Sequence, residues 1–412
     1  MRSRAKADGR SAALLAATAA AWLASTSARA EVVYDLAPSA GVGITNNARL
    51  TSTPLADEFS LLTATAQVRY LGARANHTLG YRLGWTHYFE GNGLDNLSNE
   101  LSVLSALMPA ANMELHLGGS AILSRVSRLA ITNPSAGTTA GAAPAPAPEA
   151  QVAGTNLFIG VTATEEVIYR PNARWQLLES GNVTRITYLD SPAPPDSLLI
   201  TLRGRAERIA ALDTYSLESS TSATFAAGNS LISQLMAGWR REISVMWSSE
   251  LQAGVMGIFR ENVSPTIGPA ALGSLGYRRI FWYANLTVSR LPTANLFLGT
   301  PTINNQAVLR LTLPLTRDET AVISGMAGYT FANPSNDQFT RAYDQRVAQL
   351  TVGTRFGRLP LYGTLDYSLL SQHGNPTAAT PVPDLFRQVL MLNIRASFTF
   401  GPGTPPILGA PM

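Results

Sequence analysis

The last regular segment of the chain restricts its fold more than any other feature. From Leu390 to Phe400, Leu390, Leu392, Ile394, Ala396, Phe398 and Phe400 alternate with Met391, Asn393, Arg395, Ser397 and Thr399. Successive side chains of a β-strand point to opposite faces, so this segment has one apolar and one mostly polar face. The same two-residue period recurs from Val32 onward. An apolar exterior, a polar interior and aromatics near strand ends are the pattern of a transmembrane β-barrel. A spanning helix needs about 20 consecutive apolar residues, and no stretch after residue 30 supplies them.

Residues 1–30 read as a secretory signal peptide. Arg2, Arg4, Lys6 and Arg10 form a positive leader, Ala12 to Ala24 an apolar stretch, and Ala28-Arg29-Ala30 a small-x-small cleavage site. The mature chain is expected to begin at Glu31. This segment also explains the net charge of +4. Of 31 basic and 27 acidic residues, 1–30 holds five and one, which leaves 26 of each sign. The basic balance therefore belongs to the leader and gives no support to nucleic-acid binding. After Lys6 every Lys/Arg cation is arginine, whose planar guanidinium suits fixed ion-pair networks. Without cysteine the chain has neither disulfides nor thiolate chemistry.

The alternating segments, from 32–45 to 388–400, predict an all-β antiparallel barrel of about 18 strands over 31–400, with 16 as the alternative. A tail, 401–412, follows. Connections after even-numbered strands are tight: Gly72–Asn76, Pro109–Asn112, Arg170–Ala173, Thr316–Asp318 and Gly357–Pro360. Those after odd-numbered strands are longer: 46–58, 90–96, 127–154, 190–196, 292–304, 332–344 and 372–387. Short periplasmic turns and long external loops are the expected asymmetry. The longest connection, 127–154, carries the run Ala143 to Glu149 (APAPAPE) and reads as an extended, solvated tip, with folding into the lumen as the alternative for this third external loop.

A barrel of this size is too wide to be filled by its wall side chains and leaves an aqueous lumen unless plugged. Parity places Arg69, Arg82, Arg203, Arg205, Arg240, Arg310, Arg355 and Arg395 inside. The acids Glu100, Glu114, Glu166, Glu207, Glu218, Glu250 and Asp366 share that face. Tyr88, Tyr188, Tyr283 and Tyr362 also point inward, where they would stack on sugar rings or pack the wall. The nearly balanced signs favour neutral or mixed cargo, unless opposite charges segregate across the lumen. Cross-linking of neighbouring strands is the structural alternative for each charge.

The four histidines, His77, His87, His116 and His373, lack metal-binding spacing, and neither HExxH nor GxSxG occurs. No catalytic, cofactor or metal site is expected.

Length, leader, strand spacing and the closing segment VLMLNIRASFTF together resemble Gram-negative outer membrane β-barrel channels. That resemblance implies an outer membrane location, a lipid-covered wall and assembly by the barrel-assembly machinery, which reads an aromatic closing strand. In most such proteins the aromatic is last, whereas here GPGTPPILGAPM follows Phe400. Strand number and the mixed Arg/acid lumen also look like the 18-stranded barrels of polysaccharide export systems. That narrower resemblance implies an exopolysaccharide conduit working with a periplasmic export protein. A general or nutrient-uptake porin and a structural or adhesive surface barrel are the alternatives.

Overall fold

The computed structural model describes residues 31–48, 54–90, 95–125, 156–190, 196–226, 228–261, 263–279, 282–295, 300–316, 320–334, 343–356, 360–375 and 384–401. The expected signal peptide, the Ala/Pro connection 127–154 and the tail beyond Gly401 lie outside the described residues.

The first half of the wall is β1 (Glu31–Thr45), β2 (Asp57–Leu71), β3 (Ala75–Tyr88), β4 (Asn96–Ala110), β5 (Met113–Arg125), β6 (Leu157–Asn172), β7 (Trp175–Tyr188), β8 (Ser197–Ile209) and β9 (Asp213–Phe225). The second half is β10 (Ser230–Glu242), β11 (Trp247–Arg260), β12 (Val263–Arg279), β13 (Trp282–Asn295), β14 (Thr300–Pro314), β15 (Ala321–Pro334), β16 (Tyr343–Arg355), β17 (Leu361–Gly374) and β18 (Leu385–Ala396). Each strand pairs antiparallel with its sequence neighbours, and β1 pairs with β18 to close the barrel. A three-residue β19 (Phe398–Phe400) extends β18 along β1 in unbroken register, with Ser39 opposite Arg395 and Leu36 opposite Phe398. The wall therefore has 18 strands, and the 16-strand alternative falls.

Cross-strand partners share a face, so the registers carry one parity around the whole wall. The outer face bears apolar side chains that are open rather than packed: on β18, Leu390, Leu392 and Ile394 are 41%, 52% and 47% exposed. Such a surface is stable against hydrocarbon, not water. Aromatics mark its two edges, with Trp175, Trp247 and Trp282 at one and Trp85, Phe225 and Phe259 at the other.

Both ends of the described wall, at Glu31 and Phe400, lie at the end of the tight turns, here called the inner end. These turns close with backbone bonds such as Gly72 N–H to Ala75 C=O (2.9 Å) and Ala210 N–H to Asp213 C=O (2.7 Å). At the outer end the connection after β11 is shorter than expected, because β12 begins at Val263.

The segment 292–304, expected to be a loop, is mostly strand. β13 runs to Asn295 and β14 starts at Thr300, with Pro292 opposite Ile303 and Ala294 opposite Pro301. The prolines that suggested a loop are accommodated by one-sided pairing. The ladder between β12 and β13 ends at Ala271–Arg290, and that between β14 and β15 begins at Thr302–Pro334. Pro292 and Pro301 lie just beyond these limits, so neither interrupts a ladder on that side.

Beyond Arg290 the β13–β14 hairpin leaves the wall and folds inside it. Ile303 has outward parity, yet it is fully buried (0% exposed). It packs with Ile232, Met236, Met256, Ile258, Ala270 and Leu272, the inward side chains of β10–β12, and Leu291 and Ala294 join them. The strands part because apolar residues of both faces find each other across the overlap.

Two acids break the apolar band. Glu165 and Glu179 have outward parity and are exposed, Glu165 midway along β6. Among the described residues neither forms an ion pair. Replacing Glu165 with leucine is expected to stabilise the barrel in lipid vesicles by ~1 kcal/mol, below the cost of a buried-depth Arg or Lys. Urea titrations of the two proteins would show a lower midpoint for the variant if a partner covers that carboxylate.

Candidate functional site

The inward face changes character along the barrel axis. Near the outer end its side chains are packed. After β1, Ala48 turns in and contacts Phe59, Tyr88 and Val389. The Phe59 and Tyr88 rings lie 5.7 Å apart. Arg387 is buried beside them, and its Nε donates to Thr45 Oγ1 (3.4 Å). On the adjoining strands β16 and β17, Gln345 donates to Gln372 (3.4 Å), and both are buried. With the folded-in hairpin, these groups narrow the outer third of the lumen. Towards the inner end the inward side chains are only partly covered.

In that accessible half the charges are sorted around the circumference. The arc from β4 to β11 carries Glu100, Glu114, Glu166, Glu207, Glu218 and Glu250, largely tied into networks. Arg203 donates to Glu218 (2.7 Å), and Arg205 reaches Glu207 (2.7 Å), Glu218 (3.5 Å) and Glu250 (3.7 Å). Glu218, with a side chain 8% exposed, is shared by both arginines. Gln252 Nε2 donates to Glu250 (2.6 Å). Lower down, Arg170 pairs with Glu114, and His116 Nδ1 lies 3.0 Å from Glu166 Oε1. Arg240 approaches Glu242 at 4.0 Å.

The opposite arc, from β14 through the seam to β3, is basic. Two of its three inward acids in this half are held by hydrogen bonds, and the third, Glu31, opens β1 at the inner end. Asp35 accepts from Arg69 and Thr399 (both 2.6 Å), and Asp366 from Thr351 and Thr364 (both 2.7 Å). Among the described residues Arg82, Arg310, Arg355 and Arg395 form no ion pair. Arg310 lies opposite Asn285 and Met326, and Arg82 faces Glu100 in register without bonding it. Tyr362 stands between Arg355 on β16 and Arg395 on β18 in one cross-strand row. Its ring lies over Gly353, where an added Cβ would fall 1.8 Å from Tyr362 Oη. The glycine thus holds the tyrosine flat against the wall and leaves both guanidinium groups facing the lumen.

The other aromatic candidates are dispersed. Tyr88 packs in the outer third, Tyr188 lies near Phe158 (6.4 Å between rings), and Tyr283 sits between Arg278 and Thr312 in register. They do not form one stacking platform. Sequence reasoning missed Asp35 and Arg170. Asp35 has the inward parity of β1, so the signal was present. Arg170 falls within the expected turn Arg170–Ala173, whereas β6 continues to Asn172. No cluster of three or more His, Asp or Glu suited to a metal occurs among the described residues.

No family model matches the sequence, and no curated protein matches it detectably. Solved structures do match in shape. Pseudomonas aeruginosa OccK7 (OpdD) aligns with a TM-score of 0.50 at 9% identity, over 91% of this chain and 100% of its own. Acinetobacter baumannii OccAB3 aligns with a TM-score of 0.49 at 10% identity, again over 91% and 100%. The likeness to OccK7 is one of fold: a closed, antiparallel membrane barrel.

Proposed function

We propose that this chain is an outer membrane channel for small polar solutes, with a preference for those bearing an anionic group. The observation that carries the reading is the row Arg355–Tyr362–Arg395, two arginines without ion-pair partners among the described residues, on the open half of the inward face. Side chains already engaged in networks brace the wall, whereas unengaged guanidinium groups are available to a passing carboxylate or phosphate. An expected leader at 1–30, a wall over 31–400 and an apolar outer face support export to the outer membrane. The packed outer third weighs against the exopolysaccharide conduit, since a polymer needs a wide bore over the whole length. It favours the nutrient-uptake porin over that reading.

Reconstitution into a planar bilayer tests this. Under a salt gradient the reversal potential is expected to report anion preference, and millimolar carboxylated sugars to block the current. A large current blocked only by long neutral oligosaccharides would favour polymer export. A silent bilayer would favour a structural barrel.

A further inference from the structure

The wall is interrupted at one place where both its faces are apolar. The β12–β13 ladder stops at Ala271–Arg290, although β12 continues outward beside β11 to Val263 and β13 beside β14 to Asn295. Inside this fork lies the apolar cluster of β10–β12, centred on Met236, Met256 and Leu272. Outside it, on the membrane-facing side, lies a groove of about 900 Å³. Small side chains, Ala271, Gly273 and Ala307, leave its floor low, and Trp239, Val288 and Tyr329 contribute its sides.

At the fork itself sits a cation. Arg290 has outward parity, and its Nη1 donates to Asn305 Oδ1 (2.8 Å), while Asn305 Nδ2 donates to Asn333 Oδ1 (2.9 Å). Arg346 lies over the Tyr329 ring (6.0 Å), with Asp344 two residues away on the same strand face. The groove therefore joins an apolar trough to a guanidinium, next to a gap in the strand ladder. A two-chain lipid needs a broader surface, and a neutral apolar molecule has no use for the cation.

We propose that the fork binds a single-chain amphiphile with an anionic head, a medium-chain carboxylate, with its head on Arg290 and its tail in the groove. The packed cluster behind the fork closes it towards the lumen, so the ligand is held from the membrane side. The site is independent of the Arg355–Arg395 row.

The test uses the full barrel in phosphatidylcholine nanodiscs and laurate as the probe, displacing a fluorescent fatty acid. Saturable laurate binding is expected, weakened about ten-fold by Arg290→Gln, as for loss of a charge-assisted bond. Gly273→Leu, which fills the trough from outside, should weaken it as well, since an added Cβ meets only Leu251 at ordinary contact distance (3.5 Å). Dodecanol should bind the parent and Arg290→Gln equally. Laurate binding that ignores Arg290→Gln, or a phospholipid or second barrel held in the groove instead, would overturn the proposal. Loss of anion preference with laurate binding intact would strike the channel reading alone.

Discussion

Changing Arg355 and Arg395 together to glutamate is expected to convert an anion-preferring channel into a cation-preferring one. The two side chains flank Tyr362 and have no ion pair among the described residues. Each unit charge acts on an ion 4 Å away with about 1 kcal/mol even in water-like surroundings, and charge reversal doubles the change. The anion-to-cation permeability ratio should therefore fall at least ten-fold, at about 0.1 M salt or below, where the screening length is about 10 Å. The double glutamine variant should lie between. The measurement is the reversal potential across an asymmetric bilayer. An unchanged potential in a folded barrel would mean that this row does not face the ion path.

The second large effect concerns stability. Glu218 is buried and shared by Arg203 and Arg205. Changing it to alanine leaves two guanidinium groups without their common partner in a poorly hydrated place. Removing one member of such a buried network typically costs about 3–5 kcal/mol. The urea midpoint in lipid vesicles should drop accordingly, while Glu207→Gln, which leaves Arg205 bound to Glu218 and Glu250, should cost far less. Equal losses for the two variants would show that the network stabilises through packing rather than through its shared carboxylate.

The fold was legible because alternation is a property of single strands, and the wall is single strands repeated. Strand number and the inner and outer placing of connections followed from it. What stayed hidden depends on lateral neighbours. Arg205 and Arg310 look alike in sequence, each an inward arginine in an alternating strand. Only register distinguishes them: Arg205 meets Glu218 across the ladder, whereas Arg310 meets Asn285 and Met326. The overlap at β12–β13 was hidden for the same reason. Pro292 and Pro301 signal a loop when read locally. They are tolerated in strand because each stands beyond the end of a ladder. The sorting of charge onto two arcs needs strand order as well as parity, and composition showed only its average.

The seam between β1 and β18 is the one pairing in the wall that joins strands distant in sequence. Every other ladder can zip locally, as a hairpin, while later strands are still being delivered. The seam cannot, since its two partners are the first and last strands made. Throughout assembly the chain therefore carries two unsatisfied strand edges, the kind of surface through which unrelated chains aggregate. Closure is thus a single late event. The window before it, rather than the stability of the finished wall, is where this sequence is most vulnerable.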